Sequence, residues 1–232
     1  MYKNKKILAV IPARAQNDKI DQLNLKTLGG KPLVSYTIDA ALESSYIDKI
    51  YLSTENHELM NLANQLGVKT PFQRPDELTK PGIMARDVTI DLLQSLNERY
   101  DYTIILWPNA PFRGSNVIDE AIENIVQNRY LGLQGVKKIS DYFMLKSSKS
   151  YKPIKTVANS NRPDISEIYV IAGGLFIYQT DALLDKKMSI EYRSFIIHEH
   201  DARLIYSLYD LLIAERLIKL HKSLVTSLID TT

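Results

Sequence analysis

Apolar and polar positions alternate in two patterns along this chain. Residues 7–11 form a short apolar run between Lys6 and Pro12, as in a strand buried on both faces. Across 32–44, Leu33, Tyr36, Thr37, Ala40 and Ala41 recur at helical spacing, and Pro32 suits a helix start. A strand at 47–53 and a helix at 56–67, closed by Gly67, repeat the unit. A helix at 86–98, a strand at 102–107 and a helix at 116–128 continue it. Such alternation predicts an α/β fold, a parallel sheet covered by helices with functional loops at the carboxyl ends of its strands. Beyond Leu131 the pattern turns strand-like, at 132–138, 168–171 and 175–178. A final helix is expected over 204–220, where Leu208, Leu211, Leu212 and Ile218 line an apolar stripe.

The polar stretch 146–161 reads as an excursion from the core. At 232 residues and 45% hydrophobic content, one compact domain spanning 1–232 is expected. The 29 basic and 27 acidic side chains leave a net charge of +2 without a concentrated basic face, which argues against a nucleic-acid partner. Cysteine is absent, which removes disulfides, thiolate metal sites and cysteine nucleophiles. No apolar run reaches bilayer-spanning length, so a cytoplasmic protein without a membrane partner is expected.

Eight fragments occur in one order: Ile11-Pro-Ala-Arg14, Asn24-Leu-Lys26, Gly30-Lys-Pro-Leu33, Tyr36-Thr-Ile-Asp-Ala-Ala41, Ile50-Tyr-Leu-Ser-Thr54, Arg74-Pro-Asp-Glu-Leu78, Asp101-Tyr-Thr-Ile-Ile-Leu106 and Pro111-Phe-Arg113. Together they resemble the acylneuraminate cytidylyltransferases, the CMP-sialic acid synthetases. The likeness runs from Ile7 to about Val126 and returns at Gly173–Tyr178 and Asp210–Glu215. It implies a three-layer, Rossmann-like nucleotide-diphospho-sugar-transferase fold with a mainly parallel sheet, and a dimerisation excursion within 131–180 that makes a homodimer. Attack of an acidic sugar's hydroxyl on the α-phosphate of CTP, release of pyrophosphate and assistance by Mg2+ are implied with it.

By that resemblance Arg14 and Lys19 handle the triphosphate. Asn24, Lys26, Arg74 and Asp87 join Arg14 toward the nucleotide, and Trp107, Asn109 and Arg113 face the acceptor. Arg162-Pro-Asp164 matches a stretch that contributes to dimer contacts. Three positions depart from the family. Its Arg-Gly-Gly-Ser-Lys loop reads Arg14-Ala-Gln-Asn-Asp18 here, which restricts the dihedrals of the loop and puts an acid where phosphate charge would sit, unless Lys19 or Lys26 compensates. A glutamine position carries Trp107, which offers stacking or plain packing instead. The metal-binding Asp-x-Asp pair falls on Leu204 and Tyr206, neither of which ligates a hard cation through a carboxylate. On a strand, the nearby His198 and His200 would share a face. Two readings therefore stand: a cytidylyltransferase with an altered site, or a catalytically silent homologue serving as a nucleotide-binding, scaffolding or regulatory subunit.

Overall fold

The computed structural model describes residues 1–16, 20–139, 143–147, 150–154, 168–185 and 190–229, without the side chains of 143–145, 147, 150–154 and 221–229. The expectations on Asp18, Lys19 and Arg162–Asp164 therefore lie outside the described residues.

A central six-stranded sheet organises the chain. Its strands are β1 (Ile7–Pro12), β4 (Lys49–Ser53), β5 (Tyr102–Leu106), β6 (Gly132–Lys138), β9 (Tyr169–Gln179) and β10 (Tyr192–Ile196), in the spatial order β10-β6-β9-β5-β1-β4. β4, β1 and β5 are mutually parallel, as are β6 and β10, and β9 runs antiparallel to both its neighbours. Two small ribbons lie outside it, β2 (Thr27–Leu28) with β3 (Lys31–Pro32) and β7 (Phe143–Ser147) with β8 (Ser150–Ile154). The helices are α1 (Leu33–Leu42), α2 (His57–Gln65), α3 (Ala85–Ser95), α4 (Ser115–Asn128), α5 (Thr180–Leu184) and α6 (Leu208–Ile229).

The period-two alternation of β1 sorts the core into layers. Ile7, Ala9 and Ile11 pack with Val34 and Ile38 of α1, Leu59 of α2 and Ile118, Ile122 and Ile125 of α4. Leu8 and Val10 face the other way, onto Ile90 and Leu93 of α3 and Leu183 of α5. Each fully buried leucine or isoleucine contributes about 1.5–3 kcal/mol relative to exposure, so this stack is the main source of stability. A third cluster, containing Leu23, Leu28, Leu33, Ile205 and Ala214, ties the β2–β3 ribbon to α6.

Several boundaries differ from the sequence pattern. The expected strands at 168–171 and 175–178 are one strand, β9, bent inside by Gly173 and Gly174 at φ 66° and 54°, a left-handed conformation that glycine adopts without a Cβ penalty. Within 131–180, β6 and β9 belong to the central sheet and the β7–β8 hairpin lies between them. The last helix starts at Leu208 rather than 204, because the Asp210 carboxylate accepts from the Tyr206 amide and the Ser207 hydroxyl at its start. His198 and His200 follow the end of β10 in a turn closed by Ala202 N–H onto the His198 carbonyl, so they share no strand face. Among the described residues no helix is long and apolar enough to cross a membrane.

Candidate active site

The chain leaves β1 for β4 on one side and then crosses to β5 on the other, so the strand order reverses around β1. In such sheets ligands bind at the carboxyl ends of the strands beside the reversal. A cleft of about 280 Å³ opens at that point, lined by Pro12, Arg14 and Asn24 from the loop after β1, by Trp107, Pro108 and Asn109 after β5, and by Arg74, Lys80 and Ile83 from the segment between β4 and α3. Five residues singled out from the sequence thus meet in it: Arg14, Asn24, Arg74, Trp107 and Asn109.

Each is held by identifiable bonds. Asn24 is 7% exposed, and its side-chain amide donates to the Arg14 carbonyl at 2.9 Å, fixing the loop from which Arg14 projects. The next amide, Ala15 N–H, donates to Glu55 Oε1 at 2.6 Å. A half-buried carboxylate thus takes a loop amide of the kind that a phosphate-cradling loop turns toward its ligand. Arg74 is buried, with Nε donating to Ser53 Oγ at 3.3 Å, Nη2 bonded to the Ser53 carbonyl, and Nη1 3.8 Å from Glu55 Oε2. Burial pulls the Arg74 guanidinium down to about 10; Glu55 opposes that drop and the charge of Arg14 adds to it. Arg74 stays protonated at neutral pH.

Trp107 is half-buried and packs on Phe176 with ring centroids 5.5 Å apart, so its indole both fills the core edge and walls the cleft. Asn109 donates from Nδ2 to the Ile205 carbonyl at 2.9 Å and accepts Ile205 N–H at its own carbonyl, pinning the strand-to-α6 connection to the cleft rim.

The other expected site residues lie elsewhere. Arg113 is 1% exposed and does not reach the cleft: Nη1 donates to the carbonyls of Gly173 and Gly174 at 2.6 and 2.9 Å, and Nη2 to Thr37 Oγ1 at 3.3 Å. Burial pushes its guanidinium down to about 9. The Gly174 carbonyl also accepts Trp107 N–H at 2.8 Å, so Arg113 braces the kink on which Trp107 rests. Lys26 is exposed outside the cleft lining, and Asp87 accepts from Met84 N–H at the start of α3. Sequence reasoning missed Glu55, directly after the quoted Ser-Thr pair, and Lys80, whose Lys-Pro-Gly context was a readable turn signal.

The described residues do not fit a protein-held Mg2+. Leu204 is apolar, burial raises the Tyr206 phenol, and no group of three or more His, Cys, Asp or Glu converges among the described residues. Asp210, whose carboxylate accepts from the Tyr206 amide, is engaged in starting α6.

Comparison with known proteins agrees with this architecture. The chain is 29% identical over 189 residues to pseudaminic acid cytidylyltransferase of Campylobacter jejuni, covering 78% of this chain and 82% of that one. It is likewise 29% identical over 194 residues to CMP-N,N'-diacetyllegionaminic acid synthase of Legionella pneumophila, with the same coverage of 78% and 82%. In fold it resembles the solved structure of a CMP:2-keto-3-deoxy-manno-octonic acid synthetase complexed with CTP, at a TM-score of 0.74 and 13% identity, covering 94% of this chain and 100% of that one. The cytidylyltransferase family pattern matches residues 8–203, from the first buried strand to the turn beyond β10. With the sheet order, the cleft beside β1 and a match over most of its length, the chain belongs to the cytidylyltransferase family.

Proposed function

We propose that the protein transfers CMP from CTP to a nonulosonic, sialic-acid-like sugar with release of pyrophosphate. The single observation that carries this reading is the convergence of Arg14, Arg74, Asn24 and the Trp107 indole on one cleft at the carboxyl end of β1. The names of the two bacterial relatives supply the sugar class. In this reaction the sugar hydroxyl oxygen bonds to the α-phosphorus as its proton passes to solvent, the bond to the bridging oxygen breaks, and pyrophosphate leaves with that electron pair. Charge builds on the phosphate oxygens, so fixed guanidinium groups aimed at them lower the barrier. Arg14 and Arg74 supply that charge, Asn24 holds Arg14 in place, and Trp107 offers a flat apolar face to a ring. Burial of Arg113 beneath Trp107 makes it a positioning residue in this scheme.

A second reading has its own observation. Leu204 and Tyr206 stand where the family's metal-binding aspartates are expected, which favours a nucleotide-binding subunit without turnover. A homodimer accompanies both readings: Ile171 and Ile196 are 50% and 60% exposed and both pair with Val136 in register across the sheet.

The test is CTP-dependent pyrophosphate release against a panel of nonulosonic and related 2-keto-3-deoxy acids. Turnover with at least one acid is expected, and Arg14→Ala should lower kcat/KM about a hundredfold, the loss of one fixed charge at the reacting phosphate. CTP binding without release for any acceptor favours the silent subunit.

A further inference from the structure

Three cations line the described part of the cleft, Arg14, Arg74 and Lys80, and no carboxylate does. Glu55 Oε2, 3.8 Å from Arg74 Nη1, offsets one of these charges, and the remaining positive lining suits a polyanion.

Lys80 arrives there by a built route. Its segment starts at Arg74, whose amide donates to the Thr54 carbonyl at 3.0 Å and whose guanidinium is tied to Ser53. A short 3-10 turn, Asp76–Thr79, follows, with Thr79 Oγ1 donating to the Asp76 carbonyl at 2.8 Å. Then Lys80-Pro81-Gly82-Ile83 forms a tight turn: Ile83 N–H reaches the Lys80 carbonyl at 3.3 Å and Gly82 has φ 88°. Proline at the second position and a positive-φ glycine at the third are what a type II turn requires. Proline also confines the preceding residue to extended dihedrals, and Lys80 sits at φ −62°, ψ 152°. The far end is secured by α3, whose Val88 is buried. Backbone geometry therefore delivers the base of the Lys80 side chain to the cleft rim. No ion pair holds its ammonium among the described residues, and its four-carbon stem can follow a flexible phosphate chain.

We propose that Lys80 is a phosphate contact of this cleft, and that Arg14, Arg74 and Lys80 together, rather than a divalent cation held by protein carboxylates, meet the charge of the bound nucleotide. This rests on the nucleotide reading above. It answers the absence of a fitting carboxylate set with cations from two segments distant in sequence, the loop after β1 and the turn before α3.

The test is calorimetric titration of the full-length chain with CTP, in EDTA and in Mg2+, for the unaltered protein, Lys80→Ala, Lys80→Arg, and Lys69→Ala as an equal-charge control on the exposed surface. In EDTA, Lys80→Ala should weaken binding about tenfold or more, the scale of one charge-assisted hydrogen bond, while Lys80→Arg and Lys69→Ala stay within about threefold. Binding that Lys80→Ala leaves intact overturns the inference alone. Binding seen only with Mg2+ overturns the replacement of a protein-held cation by the three side chains. No CTP binding by the unaltered chain overturns the nucleotide reading, and this inference with it.

Discussion

A fully buried guanidinium is tolerated only where acceptors surround it, and Arg113 finds them in the carbonyls of Gly173 and Gly174 and in Thr37. Removing it takes the side-chain donor from the Gly173 carbonyl in a dry site and leaves the Gly174 carbonyl with Trp107 N–H alone. Arg113→Met should therefore cost about 3 kcal/mol, a fall in melting temperature of roughly 10 °C for a domain of this size, measured by calorimetry. Retained stability would mean that the guanidinium is not the brace described. The sequence motif located this residue without showing its partners, because Gly173 lies 60 residues further along the chain. Lys80 escaped notice for a related reason. The resemblance points to Lys19 or Lys26, within the loop after β1 or just beyond it, for replacement charge, whereas Lys80 reaches the cleft from the segment before α3. Arg14, Asn24 and Arg74 were legible because short local motifs fix each of them at a strand end or loop.

At the scale of elements, the strongly apolar strands and the amphipathic helices were readable because burial on two faces or one leaves a distinct period. β10 was not read from the pattern, since an edge strand containing Arg193 and Ser194 leaves several of its side chains exposed. Nor was the continuity of β9, where two glycines look like punctuation but instead bend the strand. Gly174→Ala tests that bend. The alanine would need φ near 54° and would place its Cβ 2.6 Å from that of Trp107. A loss of at least about 1–2 kcal/mol is expected from the dihedral alone, with shifted emission from the sole tryptophan, Trp107. A second element-level prediction concerns Tyr46, which joins the approach to β4 with α4 through a 2.6 Å bond from its hydroxyl to Glu123. That hydrogen bond, with some desolvation, raises the phenol from 10.0 to about 12. A raised folded value means the contribution is present below pH 10 and is lost as pH rises toward 12. The urea midpoint should fall across that window in the unaltered protein and less steeply in Tyr46→Phe.

For the molecule as a whole, a layered core holds a sheet whose order reverses at β1, and the cleft follows from that reversal. If the exposed Ile171 and Ile196 are covered by a second copy, the paired substitution Ile171→Glu/Ile196→Glu should convert a dimer to a monomer in sedimentation equilibrium. A monomeric unaltered chain would remove the dimer from the account. The family's architecture was legible from the sequence because it rests on apolar frames spread over many segments. Its chemistry was less so, because charge at the cleft depends on residues that only folding brings together. The most direct test is mass-spectrometric detection of a CMP-linked sugar after incubation with CTP and purified nonulosonic acids. The account predicts such a product with one acid of the panel, together with an equimolar amount of pyrophosphate. CTP recovered unchanged with every acid, from protein shown to bind CTP, would contradict it.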